Sequence, residues 1–273
     1  MEAIGPLITA FDPDMGKIFF VSDSHLGVPD YDTSLVREKL LVQWLEEVAQ
    51  EAEEIFLLGD IFDFWFEYRT VVPKGFVRLL GKLAELSDRG VRLHFFTGNH
   101  DLWAFDYLEN EVGLKVCRQP VERSFGGKRF LIGHGDGLGP GDSGYKFLKA
   151  VFSSSICQKL FAFIHPGLGI RLAHYFSRKS RVVNGANDEH YLGDEKEFLV
   201  SYCKQVLQDR PMDYFIFGHR HLPLDLEVAP GSRYINTGDW VTHYSYAVFD
   251  RGKLELKFWQ KKGMNPVSGS IPS

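Results

Sequence analysis

The chain has 273 residues, of which 44% are hydrophobic and 25% charged, values that fit one well-buried domain and exclude disordered and fibrous classes. The net charge of −5 argues against non-specific binding of nucleic acid, and we expect no nucleic-acid partner. Three widely spaced cysteines without a Cys-x-x-Cys pair, and an N-terminus without a signal-peptide pattern, predict a cytoplasmic protein.

The first half of the chain alternates apolar strands with amphipathic helices. We predict an N-terminal extension (1–16), strands at 17–21, 55–58 and 91–97, and helices at 33–52, capped by Asp32 or Thr33, and at 73–89. A polar cluster follows each strand, namely Asp23-x-His25, Asp60 and Asn99-His100-Asp101. A β-α-β-α-β order brings the carboxyl ends of parallel strands to one edge of a sheet, where sites lie in such folds.

The second half continues this pattern after an interruption. Predicted strands at 128–132 and 213–217 lead into His134 and into His219-x-His221. Segments at 233–236, 244–249 and 254–259 have the alternation and turn residues of antiparallel strands. A histidine at the end of one strand is more often structural than a ligand, but five polar clusters at five strand ends favour a shared site.

Residues 141–183 interrupt the alternation. From Tyr145 to Arg181 there are seven basic residues, seven aromatic residues and no acidic residue. The apolar spacing predicts one helix up to Ile164, and Pro166 and Gly167 divide it from a second helix at 168–176. We interpret this segment as an inserted helical cap that binds an anionic ligand, although a basic helical hairpin that only packs on the core has the same composition.

The residue types in the five clusters are those of a divalent metal site. Mixed carboxylate, imidazole and amide ligands suit ions such as Mn²⁺, Fe²⁺ or Zn²⁺. Two ions about 4 Å apart need a bridging ligand, and a carboxylate such as Asp60 supplies one. Such a pair activates water at neutral pH, while His100 is placed to protonate a leaving group and Asp101 to orient His100. Residues just beyond Asp60 (Asp63, Trp65, Glu67, Tyr68) either line the mouth of this site or belong to the core.

The order D-x-H, G-D, G-N-H-D, a strand-end histidine and G-H-x-H resembles the calcineurin-like metallophosphoesterase superfamily over residues 18–221. Within it, the chain is most similar to the bacterial UDP-2,3-diacylglucosamine diphosphatases of lipid A biosynthesis. The similarity rests on Gly59-Asp60-Ile61-Phe62, on His134-Gly135-Asp136-Gly137-Leu138, on Asp142 and Tyr145, and on the basic end of the cap.

The resemblance implies a fold and a division of the chain. The fold is a four-layer α-β-β-α sandwich with an inserted helical cap. The core would comprise 17–140 and 184–262, the cap 141–183 and a C-terminal tail 263–273. The expected cofactors are two divalent ions, foremost Mn²⁺.

The resemblance also implies roles for single residues. One ion would bind Asp23, His25, Asp60 and His221, and the other Asp60, Asn99, His134 and His219. The substrate would contact Asn99, Asp142, Ser180, Asn184 and His219. We expect a lipid-linked UDP-sugar substrate and a peripheral position on the anionic cytoplasmic face of the inner membrane.

His100 and Arg220 depart from the best-known members of the subfamily, which have Arg and Thr at these positions. A phosphate leaving group needs little protonation, whereas an alkoxide needs an acid such as His100. Two alternatives therefore stay open: a phosphodiesterase or nucleotide pyrophosphatase of a soluble substrate and, because some superfamily members are scaffolds, a non-enzymatic interaction module.

Overall fold

The computed structural model describes residues 16–140, 143–188, 191, 193–194 and 196–260, with the backbone alone at 143–144 and 178–188. The helices are α1 (Tyr31–Val48), α2 (Val77–Asp88), α3 (Tyr107–Asn110), α4 (Ser143–Ser153), α5 (Ser155–Ala162), α6 (Pro166–Asp188) and α7 (Phe198–Asp209). The strands are β1 (Lys17–Val21), β2 (Ala52–Leu57), β3 (Arg92–Phe96), β4 (Lys115–Cys117), β5 (Val121–Phe125), β6 (Lys128–Ile132), β7 (Tyr214–Phe217), β8 (Pro223–Ala229), β9 (Ser232–Thr237), β10 (Ser245–Asp250) and β11 (Lys253–Phe258). Most of the predicted extension and tail lie outside the described residues.

The strands form two mixed sheets. The first has the order β11-β10-β1-β2-β3-β4, with β1 to β4 parallel and β10 antiparallel to β1. The second has the order β5-β6-β7-β9-β8, with β6, β7 and β9 parallel. Each sheet therefore has three or more strands that end at the same edge.

The two sheets pack face to face because successive side chains of a strand point to opposite faces. On β1, Ile18 and Phe20 belong to the core between the sheets, together with Phe130 of β6 and Ile216 of β7. The intervening Phe19 belongs to a second core, which α1 and α2 cover. A third core joins the outer face of the second sheet to α7. The predicted four-layer α-β-β-α sandwich is confirmed.

The starts of two helices differ from the sequence prediction. Asp30, rather than Asp32 or Thr33, caps α1, since its extended backbone lets its carboxylate accept from Thr33 N at 2.9 Å. The second helix begins at Val77, not at residue 73, because Phe76 has a left-handed backbone. Glu38 of α1 accepts from the first amides of α2, a cap that arises only from tertiary packing.

The segment between β6 and α7 contains α4, α5 and α6, which we call the insertion helices. The helix predicted up to Ile164 is interrupted at Ser154, and Pro166 begins α6, a position that suits proline. The helix α6 continues to Asp188, so the predicted boundary at 183 falls inside it. The charge pattern that predicts this boundary does not mark the end of a helix. The ring centre of Phe161 lies 4.7 Å from that of Trp103 and 4.8 Å from that of Phe66. The insertion helices therefore lie against the loops after β2 and β3.

Near the start of β2, a buried carboxylate, that of Glu54, joins the two sheets. Glu54 Oε2 lies 2.6 Å from His94 Nε2 on β3 and 2.8 Å from an Arg123 guanidinium nitrogen on β5, and Arg92 contacts Glu54 Oε1 at 2.8 Å. Burial raises the pKa of Glu54, but the hydrogen bonds from His94 and Arg92 and the charge of Arg123 outweigh it and lower the pKa to about 2.

We expect Glu54→Gln to destabilise the protein at neutral pH and to lose this effect in acid. Because the folded pKa of about 2 lies below the reference value of 4.5, ionised Glu54 stabilises the fold above pH 4.5, and its contribution disappears as the pH falls through about 2. Its size corresponds to roughly 3 kcal/mol. Urea unfolding of wild type and variant between pH 7 and pH 3 measures the difference. Glu122→Gln, an exposed ion-pair partner, serves as control and should change little. A difference that stays constant with pH would show that packing, not charge, is lost.

Candidate metal centre

The predicted ligands all follow strands whose ends meet at one edge of the sandwich. Asp23 and His25 follow β1, Asp60 follows β2 and Asn99 follows β3, all in the first sheet. The second sheet supplies His134 after β6, and His219 and His221 after β7. Because β1 to β3 are parallel and β6 and β7 are parallel, the chain direction alone brings both sets of loops together.

Five of these residues have a left-handed backbone that side chains other than glycine rarely adopt. The φ angles lie between 39° and 70° at Asp23, His25, Asp60, His219 and His221. Each such residue costs about 1–3 kcal/mol and persists where surrounding contacts over-determine it, as at active sites. The buried Arg37 of α1 supplies part of this support, since it donates to the carbonyls of Ser24, His25 and Val28 at 2.9–3.1 Å.

Two glycines allow the loops to approach one another. A Cβ on Gly98 would overlap Asp60 Oδ1, and a Cβ on Gly218 would lie 2.6 Å from Asp23 Oδ2. Real Cβ atoms essentially never come that close. The glycines that precede Asn99 and His219 are therefore required by the contact between ligand loops.

Asp23, His25 and His221 form the first group. His221 Nε2 lies 3.2 Å from His25 Nε2 and 3.5 Å from Asp23 Oδ1. His25 Nε2 lies 3.8 Å from the same carboxylate oxygen. Among the described residues, the buried Asp23 Oδ1 has no hydrogen-bond donor, although a buried carboxylate oxygen normally has one. The nitrogens of His25 and His221 and this oxygen of Asp23 therefore face one another, as the ligand atoms of a single cation do.

Asp60, Asn99, His134 and His219 form the second group. His134 Nε2 lies 3.5 Å from Asp60 Oδ2 and 3.4 Å from Asn99 Oδ1. One ligand atom each from Asp60, His134 and His219 lies within 4.8 Å of the others. Asp60 Oδ2 also lies 3.8 Å from His25 Nε2, so this oxygen stands between the two groups.

The protonation of the cluster indicates a need for positive charge. Burial raises the pKa of Asp60, but the positive charges of His134, His100 and His25 outweigh it and hold the pKa well below its usual range. Burial would lower the pKa of His134, yet the charge of Asp60 raises it to about 10. Burial and the charge of His134 lower the pKa of His219 to about 3. Asp60 thus stabilises the protonated form of His134, and a divalent cation would compete with the proton for the same nitrogen.

The ring nitrogens on the far side of these histidines face oxygen atoms. His134 Nδ1 donates to the carbonyl of Leu58 at 2.7 Å, which leaves Nε2 to face the cluster. His221 Nδ1 lies 3.5 Å from Asp239 Oδ2, and His25 Nδ1 lies 3.6 Å from Asp63 Oδ1. Ligand histidines in metalloproteins almost always have such a carbonyl or carboxylate behind them.

Sequence reasoning missed Asp239. Its carboxylate accepts from the amides of Val241, Thr242 and His243 at 2.8–3.2 Å, which holds it beside His221. A signal was present, because Gly238-Asp239 follows β9 as Gly59-Asp60 follows β2.

The geometry changes the expected role of Asp101. We expected Asp101 to orient His100, but its hydrogen bonds in the described structure come from the backbone amides of Asp60, Ile61, Phe62 and Gly98. Burial and the charge of Asp60 raise its pKa to about 7. Asp101 therefore shapes the Asp60 loop, and it is Asp63 that holds His100, because His100 Nδ1 donates to the Asp63 carbonyl at 2.9 Å.

The remaining predicted residues divide into core and undescribed positions. Trp65 and Glu67 are buried; Glu67 accepts from Trp65 Nε1 and from the amides of residues 105–107, so they are core, not the mouth of the site. Asp142 lies outside the described residues, as do the side chains of Ser180 and Asn184 in α6. Arg220 pairs with the buried Glu197 at 2.8 and 2.9 Å.

The donor set of carboxylate, imidazole and amide groups fits divalent cations. Ions that accept oxygen and nitrogen ligands, such as Mn²⁺, Fe²⁺ and Zn²⁺, suit such donors. The unpartnered Asp23 oxygen and the paired imidazole nitrogens agree with this choice. His25, Asp63 and His100 also lie close together, but His100 Nδ1 carries the proton that it donates to a carbonyl and has no lone pair for an ion.

Comparison with known proteins finds relatives over most of the chain. A family model for calcineurin-like phosphoesterases matches residues 16–223. A UDP-2,3-diacylglucosamine hydrolase from Porphyromonas gingivalis is 40% identical over 253 residues, which cover 88% of this chain and 97% of that protein. A UDP-2,3-diacylglucosamine hydrolase from Histophilus somni is 26% identical over 229 residues, 83% and 93% of the two chains. Among solved structures, a phosphoesterase from E. coli aligns with 86% of this chain and 88% of that one, at 16% identity and a TM-score of 0.39.

We expect Asp60→Ala to abolish tight binding of Mn²⁺ while the fold is kept, because this carboxylate stands between both groups. Equilibrium dialysis followed by metal analysis measures the bound ion, and circular dichroism checks the fold. Asp88→Ala, which removes an exposed carboxylate at the end of α2, is the control and should bind Mn²⁺ as the wild type does. Undiminished Mn²⁺ binding by Asp60→Ala would contradict the assignment of this centre.

Proposed function

The chain belongs to the calcineurin-like phosphoesterase family, and from this premise we propose that it hydrolyses the diphosphate of UDP-2,3-diacylglucosamine. Attack of water at the α-phosphorus gives UMP and 2,3-diacylglucosamine 1-phosphate, a step of lipid A biosynthesis. The observation that carries the proposal is the 40% identity with a hydrolase of that name over 97% of its length. The convergence of all seven predicted ligands in one cluster supports it.

In this proposal, two divalent ions, foremost Mn²⁺, bind the two groups. Asp23, His25 and His221 would hold one ion and Asn99, His134 and His219 would hold the other, while Asp60 would contribute to both. When bound, the ions activate water and neutralise charge on the phosphoryl oxygens. Asp239 and the Leu58 carbonyl orient the imidazoles of His221 and His134.

His100 is proposed as the group that faces the leaving oxygen. Its Nδ1 donates to the Asp63 carbonyl, so Nε2 can donate a proton only from the imidazolium form. Cleavage of the diphosphate expels a sugar phosphate, which is stable as an anion and gains little from this proton. An alkyl phosphodiester expels an alkoxide and gains more. His100 therefore also favours the second candidate, a phosphodiesterase of a soluble substrate.

The substrate contacts are proposed in part from geometry and in part from resemblance. Asn99 and His219 belong to the second group and would face the phosphates from there. Asp142, Ser180 and Asn184 are proposed from the resemblance. The insertion helices would cap the acyl chains, since their apolar side chains lie over the loops of Phe66 and Trp103.

A substrate panel separates the two candidates. We expect turnover of UDP-2,3-diacylglucosamine to exceed that of UDP-N-acetylglucosamine and of bis(p-nitrophenyl) phosphate by a factor of about 100 or more, because only the first has acyl chains that would contact the apolar side chains of the insertion helices. His100→Ala should lower kcat less for the diphosphate than for a dialkyl phosphodiester. Equal rates on acylated and acyl-free UDP sugars would favour the soluble-substrate candidate. An equal loss of kcat on the diphosphate and on the dialkyl phosphodiester would contradict the leaving-group role of His100.

We also propose that the insertion helices hold the enzyme against the cytoplasmic face of the inner membrane. They carry large apolar side chains that water reaches, including Phe147 (72% exposed), Ile156 (68%) and Phe163 (88%). Lys159 and Arg171 are exposed on the same helices, and the sequence from 145 to 181 has no acidic residue. Basic residues among shallowly inserting apolar ones are typical of peripheral binding to anionic lipid. No described helix has the length and apolar character needed to cross a bilayer.

We expect Lys159→Glu/Arg171→Glu to weaken binding to phosphatidylglycerol vesicles at least tenfold, because each basic residue near an anionic surface contributes about 1 kcal/mol. Phe163→Ser, made on its own, should also weaken binding to these vesicles, because it removes an apolar side chain that would insert. Co-sedimentation at low and high salt measures both effects. The charge-matched control is Lys39→Glu/Lys74→Glu, because Lys39 on α1 and Lys74 before α2 are exposed and lie outside the insertion helices. Tyr31→Ser, at an exposed aromatic residue of α1, is the control for Phe163→Ser. Retained binding in the Lys159/Arg171 variant would refute this surface, and loss of soluble-ester hydrolysis would assign these residues a structural role.

A further inference from the structure

One buried carboxylate links the insertion helices to the metal centre. Asp63, three residues after Asp60, is 1% exposed, and both of its oxygens lie 3.1 Å from the Ser177 hydroxyl of α6. His174 of the same helix approaches Asp63 Oδ2 with Nδ1 at 3.2 Å. Because residues three apart lie on one face of a helix, α6 presents both groups together to Asp63.

The same residue lies behind two histidines of the centre. Asp63 Oδ1 lies 3.6 Å from His25 Nδ1, the nitrogen that points away from the first ligand group. The Asp63 carbonyl accepts from His100 Nδ1 at 2.9 Å, and its carboxylate lies 3.7 Å from that nitrogen. Asp63 thus lies between one face of α6 and the two imidazoles whose directions matter for metal binding and for the leaving group.

Packing around Asp63 agrees with a docked helix. A Cβ on Gly27, two residues after His25, would lie 3.7 Å from His174 Cε1 and 3.9 Å from Asp63 Cβ. The His174 ring also meets Phe64, with 6.4 Å between ring centres. The helix α6 therefore contacts the loop after β1 and the loop after β2, the two loops that supply His25 and Asp60.

We propose that Asp63 is a positioning residue that couples the docking of α6 to metal binding by His25. Docking of α6 places His174 and Ser177 on the carboxylate, which fixes its direction, and the fixed carboxylate holds the His25 ring with Nε2 toward the first group. Coupling is reciprocal, so metal binding stabilises the docked helix by the same factor that docking strengthens metal binding. The inference rests on the proposed function only in requiring a cation in the group of Asp23, His25 and His221.

The test uses the full chain, prepared metal-free, and Mn²⁺ without substrate. Asp63→Asn should weaken Mn²⁺ binding about 10–100-fold by calorimetry, the usual loss when a group behind a ligand histidine is changed. His174→Gln/Ser177→Ala removes the partners on α6 without altering any proposed ligand, and we expect a loss of about 3–10-fold. Ser155→Ala, an exposed serine of α5, is the matched control and should bind as the wild type does.

Hydrogen exchange reports on the helix itself. In the wild type and in Ser155→Ala, Mn²⁺ should slow amide exchange over residues 166–177, whereas in His174→Gln/Ser177→Ala exchange should be faster and should not respond to the ion. Wild-type Mn²⁺ affinity and a wild-type exchange response in the double variant would overturn the coupling. If Asp63→Asn lost Mn²⁺ affinity and His174→Gln/Ser177→Ala did not, the coupling would also be overturned, because Asp63 would then act on His25 without α6. None of these readouts uses a substrate, so a wrong substrate assignment leaves them unchanged.

Discussion

Buried negative charge at the meeting edge of the two sheets is the constraint on which the structure depends. The carboxylates of Asp23 and Asp60 are almost completely buried, and a buried charge is tolerated only when it is paired. Histidines from four loops face these carboxylates, and the charge of Asp60 raises the pKa of His134 to about 10 whereas burial and the charge of His134 lower that of His219 to about 3. Parallel strands in both sheets, left-handed residues at their ends and glycines between the loops are what bring these groups within contact distance.

Around this charge, a second set of groups fixes directions. The Leu58 carbonyl, Asp239 and Asp63 stand behind three histidines, and Arg37 binds the carbonyls of the first loop. Asp101 shapes the Asp60 loop through four backbone amides, so its raised pKa is the cost of placing a second carboxyl beside Asp60. The strain of the left-handed residues persists because these contacts over-determine the loops.

Two of the contacts described between the insertion helices and the ligand loops use a buried carboxylate. Asp63 meets α6, while Asp136, two residues after His134, accepts from Tyr145 at 2.5 Å and pairs with Lys149 of α4 at 2.7 Å. A segment with an apolar, basic surface is thereby connected to the loops that carry the candidate metal ligands. Under the proposed function, this arrangement would be a physical route by which a lipid at that surface and a cation at the centre affect one another.

The amino-acid sequence by itself determined most of the strands, the helices α1 and α2 and the ligand clusters, because alternation of apolar residues and the polar residues at strand ends are local patterns. The layer architecture followed from the resemblance to a known family, since strands such as β5 and β8 and the covering helix α7 were not among the predicted elements. The sequence did not determine which group stands behind each ligand. Asp239 lies 18 residues beyond His221, Asp101 accepts from amides of two different loops, and Asp63 meets a helix more than 100 residues away. Such contacts depend on how loops turn after the strands end and on how α6 packs. Only tertiary structure decides these, because left-handed turns and side-chain directions arise from long-range packing and leave no periodic pattern in the chain.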